Sequence, residues 1–167
     1  MNEAPKIENS DAKRSEEMDA KLATGQITLA EYAGIGKKQL YEIAKQGYQL
    51  FSSGKLDEAE VIYSGLVAAD PYDSVFHCHL GAVHFRKGDM DKAFDEYSAS
   101  IRLNIANVDA LAARGEIYLQ KGELKEGIED LRKALENDPE AKRPSTQRAR
   151  ALLLSLRDAA QQQQSAN

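Results

Sequence analysis

The run Gly47-Tyr48-Gln49-Leu50-Phe51-Ser52-Ser53-Gly54-Lys55-Leu56-Asp57-Glu58-Ala59 decides the fold, because its small residues return at a fixed interval. Gly47, Gly81 and Gly115 are spaced 34 residues apart, and so are Gly54, Gly88 and Gly122. Other positions keep the same register: Leu56, Met90 and Leu124; Ala59, Ala93 and Gly127; Tyr63, Tyr97 and Leu131; Leu66, Ser100 and Ala134. Asp70-Pro71 and Asp138-Pro139 close the first and third units, with Asn104-Ile105 in their place in the second. Two antiparallel helices per unit account for this. Small residues sit where the helices cross closely, a glycine able to take positive φ makes the turn, and proline stops the second helix.

A 34-residue helical hairpin with these positions is the tetratricopeptide pattern. The expected fold is therefore all-α, a tetratricopeptide (TPR) right-handed superhelix of three helical hairpins at 40–73, 74–107 and 108–141. A lone hairpin cannot cover its own apolar face, so the stack needs polar-faced ends. Ala149, Leu152, Leu153 and Leu156 recur at helical spacing and predict a C-terminal capping helix within 142–160. Residues 13–39, interrupted by Gly25, Gly34 and Gly36, predict one or two short N-terminal helices, and the ends, 1–12 and 161–167, are expected to be disordered.

In such a stack the first helix of each hairpin faces the inside of the curve, with its second, fifth, ninth and twelfth positions on the concave surface. These are Tyr41, Ala44, Tyr48 and Phe51, then Val75, Cys78, Ala82 and Phe85, then Asp109, Ala112, Glu116 and Leu119. The groove is thus expected to be aromatic at one end and acidic at the other. Aromatic side chains gathered on one open face mark a binding site for an extended apolar peptide.

The segment from Gly25 to about Ala134 resembles the translocator chaperones of bacterial type III secretion, the LcrH/SycD/IpgC-like family. The residues that carry the likeness are Thr28-Leu29-Ala30 before Gly34-Ile35, Leu40-Tyr41, Gly47 through Lys55, Asp70-Pro71-Tyr72-Asp73, Leu80-Gly81-Ala82 and Leu119 through Leu124. The resemblance implies a cytoplasmic chaperone that keeps a hydrophobic secreted translocator soluble by gripping an extended segment in the concave groove. It places Tyr48 and Phe51 on aromatic groove positions, and Ala82, Glu116 and Leu119 on other inner-face positions. It also implies homodimerisation through the N-terminal helices, about Leu22 to Ile35. Ala44 and Ala112 depart from it, lying where the family carries larger groove side chains.

Composition narrows the alternatives. A formal net charge of -5 argues against general affinity for nucleic acid, and the basic residues Lys142, Arg143, Arg148, Arg150 and Arg157 read as the solvated face of a terminal helix. The single cysteine, Cys78, excludes an intrachain disulfide and a thiolate-rich metal site and fits a reducing cytosol. The longest apolar run, around Leu152-Leu153-Leu154, is too short to cross a membrane, and the first residues lack the apolar core of a signal peptide. His77, Cys78, His79 and His84 are the best enzymatic material. Yet His77 and His79 point about 200° apart on a helix, and no oxyanion donor or orienting group accompanies the thiol. No catalytic residue, metal or cofactor is expected. A clamp for an acidic peptide terminus needs several inner-face cations that Ala44, Tyr48, His79, Asp109 and Ala113 do not supply. A generic tetratricopeptide adaptor or scaffold for a multiprotein complex is the other reading.

Overall fold

The computed structural model describes residues 8–165, with side chains from Ser15 onward. Its helices are α1 (Glu8–Ala23), α2 (Leu29–Tyr32), α3 (Lys37–Ser52), α4 (Leu56–Ala69), α5 (Ser74–Lys87), α6 (Met90–Leu103), α7 (Val108–Gln120), α8 (Leu124–Asn137) and α9 (Pro144–Ser165). The described residues contain no strand, and none of their helices is long and apolar enough to cross a membrane.

Three hairpins, α3/α4, α5/α6 and α7/α8, stack so that α4 also packs on α5, α6 on α7 and α8 on α9. The first helices of successive hairpins touch as well, α3 with α5 and α5 with α7, and the terminal α9 continues this inner layer by packing on α7. Within each hairpin the chain turns at a glycine in the left-handed region: Gly54 at φ 81°, Gly88 at 87° and Gly122 at 80°.

The other glycine series has a different cause. A Cβ on Gly47 would lie 2.8 Å from Ile62 and 3.0 Å from the Tyr63 ring; on Gly81 it would lie 2.9 Å from the Tyr97 ring; on Gly115, 2.9 Å from Leu131. The 34-residue period therefore records one close helix crossing repeated three times. Around these crossings the core fills with Ala59, Leu66, Phe76, Leu80 and Val83 in the first joint, Ala93, Ala110 and Ile117 in the second, and Val108, Leu111, Ala134 and Ala149 in the third.

Polar groups fix the helix starts. Thr28 and Glu31 form a capping box on α2, which gives the Thr-Leu-Ala block a local structural role. Asp73 caps α5 by accepting from the Val75 amide, and Asn107 caps α7 by accepting from that of Ala110. Asp138 accepts from the amides of Lys142 and Arg143 and from the Thr146 hydroxyl, so the aspartate that closes the third hairpin also starts α9.

The ends differ from expectation. Helix α1 begins at Glu8 and α9 continues to Ser165, so residues 8–12 and 161–165 are helical where disorder was expected. Gln161–Gln164 have good helix propensity and extend an existing helix without the cost of nucleation. Residues 1–7 and 166–167 lie outside the described residues.

Candidate functional site

Helices α3, α5, α7 and the start of α9 enclose an open hollow of about 630 Å³ on the inner layer. Tyr48, Phe51, Val75, Cys78, Ala82 and Asp109 line it, as the repeat register predicts. Tyr48 is 53% exposed, a large aromatic ring presented to solvent at the lip. Its ring lies 6.4 Å from that of Phe51 and 6.0 Å, edge-on, from His79. Phe51 is fixed from outside by Arg86, whose guanidinium stands 4.7 Å over the ring while its Nη1 donates to Phe51 O. The small side chains of Cys78 and Ala82 on α5 and Ala113 on α7 leave the depression between these rings and the far wall.

Five expected groove positions lie outside this hollow and make packing contacts within the fold. Ala44 is 7% exposed and sits in the first core cluster, where the Tyr63 hydroxyl donates to its carbonyl at 2.9 Å. Ala112 is fully buried against α8 and α9. The Tyr41 ring packs 5.3 Å from Phe76, and its hydroxyl donates to Asp73 Oδ2 at 2.9 Å. That bond tethers α3 to the start of α5; Tyr41 stays 43% exposed but does not line the hollow, and burial and the carboxylate raise its pKa to about 12. Phe85 packs in the second core cluster. Leu119 turns inward onto Gly127, where a Cβ would stand 2.7 Å from its Cδ2.

The acidic end is also changed, because α9 lies along it. Arg143 Nη1 donates to Asp109 Oδ2 at 2.7 Å, the Ser145 hydroxyl donates to Asp109 Oδ1, and Arg148 Nε donates to Glu116 Oε1 at 3.2 Å. The two acids are thus neutralised, and two arginines expected in a solvated face belong to the groove wall. Glu116 and Leu119 border a separate shallow depression with Gln120 and Leu152.

Several lining residues escaped the register. His79, Asn104, Ala106, Asn107, Val108, Ala113, Arg143, Pro144, Ser145 and Arg148 come from the far side of α5, the α6–α7 turn, α7 and α9. Tyr97 reaches the hollow from the second helix of its hairpin. His79 stacks on Tyr63, ring centroids 5.0 Å apart, and burial lowers its pKa, which favours the neutral ring.

Thiol and imidazole chemistry is muted here. Burial pushes the Cys78 thiol up to about 12, leaving it protonated and a poor nucleophile at neutral pH. His77 points away from the groove, with Nδ1 2.7 Å from Glu96 Oε2 and Nε2 3.0 Å from Pro71 O. Among the described residues no group of three His, Cys, Asp or Glu side chains could hold a metal ion.

The site can therefore grip apolar side chains, with polar groups at one wall. Comparison with known proteins agrees with the architecture: tetratricopeptide-repeat models match residues 45–107 and 108–141. The low calcium response locus protein H of Yersinia pseudotuberculosis is 36% identical over 121 residues, covering 71% of this chain and 70% of its own length. The Yersinia enterocolitica type III secretion chaperone SycD, solved with a peptide of the translocator YopD, superposes with a TM-score of 0.64 and 27% identity, over 77% of this chain and 97% of that one. A type III secretion complex from Aeromonas hydrophila gives a TM-score of 0.73 and 25% identity, over 87% of this chain and 98% of the other.

Proposed function

Since the chain belongs to the tetratricopeptide translocator-chaperone family of type III secretion, we propose that it holds a hydrophobic translocator soluble in the bacterial cytosol, gripping one extended segment of it in the hollow between Tyr48 and α9. The observation that carries this is the exposed Tyr48 ring beside a depression floored by Cys78 and Ala82. A ring held at a lip gains area on binding with little entropy to lose, and a floor of small side chains leaves room for a Leu, Met or Pro of the client. The polar wall of Asn104, Asn107 and the paired arginines suits the backbone of an extended chain. This function needs binding alone and no catalytic step.

The α9 helix sets the length of the grip. With Asp109 and Glu116 engaged by Arg143 and Arg148, the client's apolar anchors lie over the first and second hairpins, and the third hairpin with α9 acts as an end wall. Leu29, Tyr32 and Ile35 leave an apolar face exposed on and beside α2, which we assign to contact with a second copy of the chain; light scattering of a Leu29→Asp variant tests that assignment.

Titration calorimetry with the translocator tests the grip. Tyr48→Ala weakens binding by about 2 kcal/mol, whereas Val61→Ala, on the outer face of α4, leaves it unchanged. Equal affinity of the Tyr48 variant and the parent, with both folded, overturns the groove assignment.

A further inference from the structure

Tyr63 and Tyr97 are equivalent residues of successive hairpins, 34 positions apart, and their rings rest on Gly47 and Gly81 in the same way. Both are buried, at 1% and 4% exposure. Their hydroxyls differ. Tyr63 Oη donates to Ala44 O, within its own hairpin. The equivalent acceptor for Tyr97 is the carbonyl of Cys78, yet the Tyr97 hydroxyl makes no hydrogen bond to it or to any other described residue, and Tyr97 lines the hollow. The oxygen is not among the sealed polar atoms of the interior; it opens on the groove.

We infer that the Tyr97 hydroxyl is a recognition group for the client, donating a hydrogen bond to one backbone carbonyl of the extended segment at the floor of the hollow. This rests on reading the groove as a peptide site. A hydroxyl that opens on the hollow with no protein partner keeps its donor free, and a backbone carbonyl laid in the hollow takes that donor in place of solvent. The neighbouring acids do not take it, because Asp109 and Glu116 are held by Arg143, Ser145 and Arg148. Burial, with Cys78, Glu116 and Asp109 nearby, raises the Tyr97 pKa, so the group is a phenol that donates and not a phenolate that accepts. An extended chain presents a carbonyl toward each side at alternate residues, which lets this donor fix the register of an apolar anchor without reading its side chain.

The test pans the full-length chain against phage displaying random decapeptides and measures the selected peptides by calorimetry on three variants. Tyr97→Phe keeps the ring on Gly81 and removes only the donor; it weakens binding about three- to tenfold with no fall in thermal midpoint. Tyr63→Phe breaks an internal bond, so it lowers the midpoint and leaves affinity unchanged. Parental affinity in Tyr97→Phe overturns the inference, and so does a fall in its midpoint matching that of Tyr63→Phe, which would reveal an internal partner. Peptides that bind Tyr97→Phe weakly and are lost on Tyr48→Ala support both the groove and the donor. Recovery of no peptide, or only of peptides indifferent to Tyr48→Ala, overturns the groove reading itself and the inference with it.

Discussion

Arg143 Nη1 lies 2.7 Å from Asp109 Oδ2, joining the start of α9 to the first turn of α7 across 34 residues of sequence. With the Arg148–Glu116 pair two turns further along α7, this seats the terminal helix along the inner face of the third hairpin. Both arginines are largely exposed, so each pair contributes at most about 1 kcal/mol; the apolar contacts of Ala149, Leu152 and Leu153 supply most of the seat. Their larger effect is electrostatic. They cancel the negative charge that the inner face of the third hairpin would otherwise carry.

The first prediction concerns the glycine series. Gly81→Ala forces a Cβ to within 2.9 Å of the Tyr97 ring, which is packed and cannot withdraw. Overpacking of this kind costs about 1–3 kcal/mol, more than the gain of up to about 1 kcal/mol in helix propensity, so the variant is less stable. Gly65→Ala, on α4 with open space around the added methyl, gains about 0.5–1 kcal/mol. Urea denaturation of the two variants checks both signs.

A second prediction concerns the buried ion pair. Arg114 donates from Nε and Nη2 to the two oxygens of Asp130, at 2.7 and 3.0 Å, and Asp130 is almost fully buried. Asp130→Ala leaves a guanidinium without its partner and destabilises the chain by about 3–5 kcal/mol. Replacing both residues with apolar side chains of similar volume recovers most of that loss in the same denaturation assay.

A third prediction is a pH dependence traced to His77. Both ring nitrogens face acceptors, which only the doubly protonated ring satisfies, and the bond to Glu96 raises its pKa above the ordinary value near 6.5. The stabilisation is fully present below that ordinary value and is lost as pH rises through the folded-state pKa. His79, lowered by burial, works in the opposite sense, so the comparison is between the parent and His77→Asn. Their difference in thermal midpoint is largest near pH 6 and shrinks as the pH is raised toward 8.5. A difference that grows with pH contradicts the assignment.

Cys78 gives a fourth prediction. With its thiol pushed up to about 12 by burial, it reacts with iodoacetamide at pH 8 far more slowly than a free thiol. Bound client slows it further because Cys78 floors the hollow. Intact-mass measurements over time, with and without client, follow both effects.

The repeat architecture was legible because close helix crossings recur at fixed spacing, and Gly47, Gly81 and Gly115 write them into the sequence. The hollow was legible in Tyr48, Phe51, Val75, Cys78, Ala82 and Asp109, which obey the inner-face register. Ala44 and Ala112 obey it too, but an alanine is short enough to be covered by its neighbours. Leu119 carried a signal of its own: Gly127 replaces the alanine found at positions 59 and 93, and the extra space draws the leucine inward. The α9 wall was not legible, since Arg143 and Arg148 have no repeat counterpart and their partners are 34 and 32 residues away. Tyr97 was hidden because its repeat position marks a core ring, and only the missing hydroxyl partner sets it apart from Tyr63.

The most direct test of the central claim is co-purification from the native cytosol. The tagged chain and its Tyr48→Ala variant are isolated in parallel, and the bound polypeptides are identified and quantified by mass spectrometry. The account predicts one abundant partner bearing long apolar segments, recovered with the parent and depleted with the variant. Soluble assembly proteins in its place, or equal recovery of the apolar partner by both chains, would contradict it.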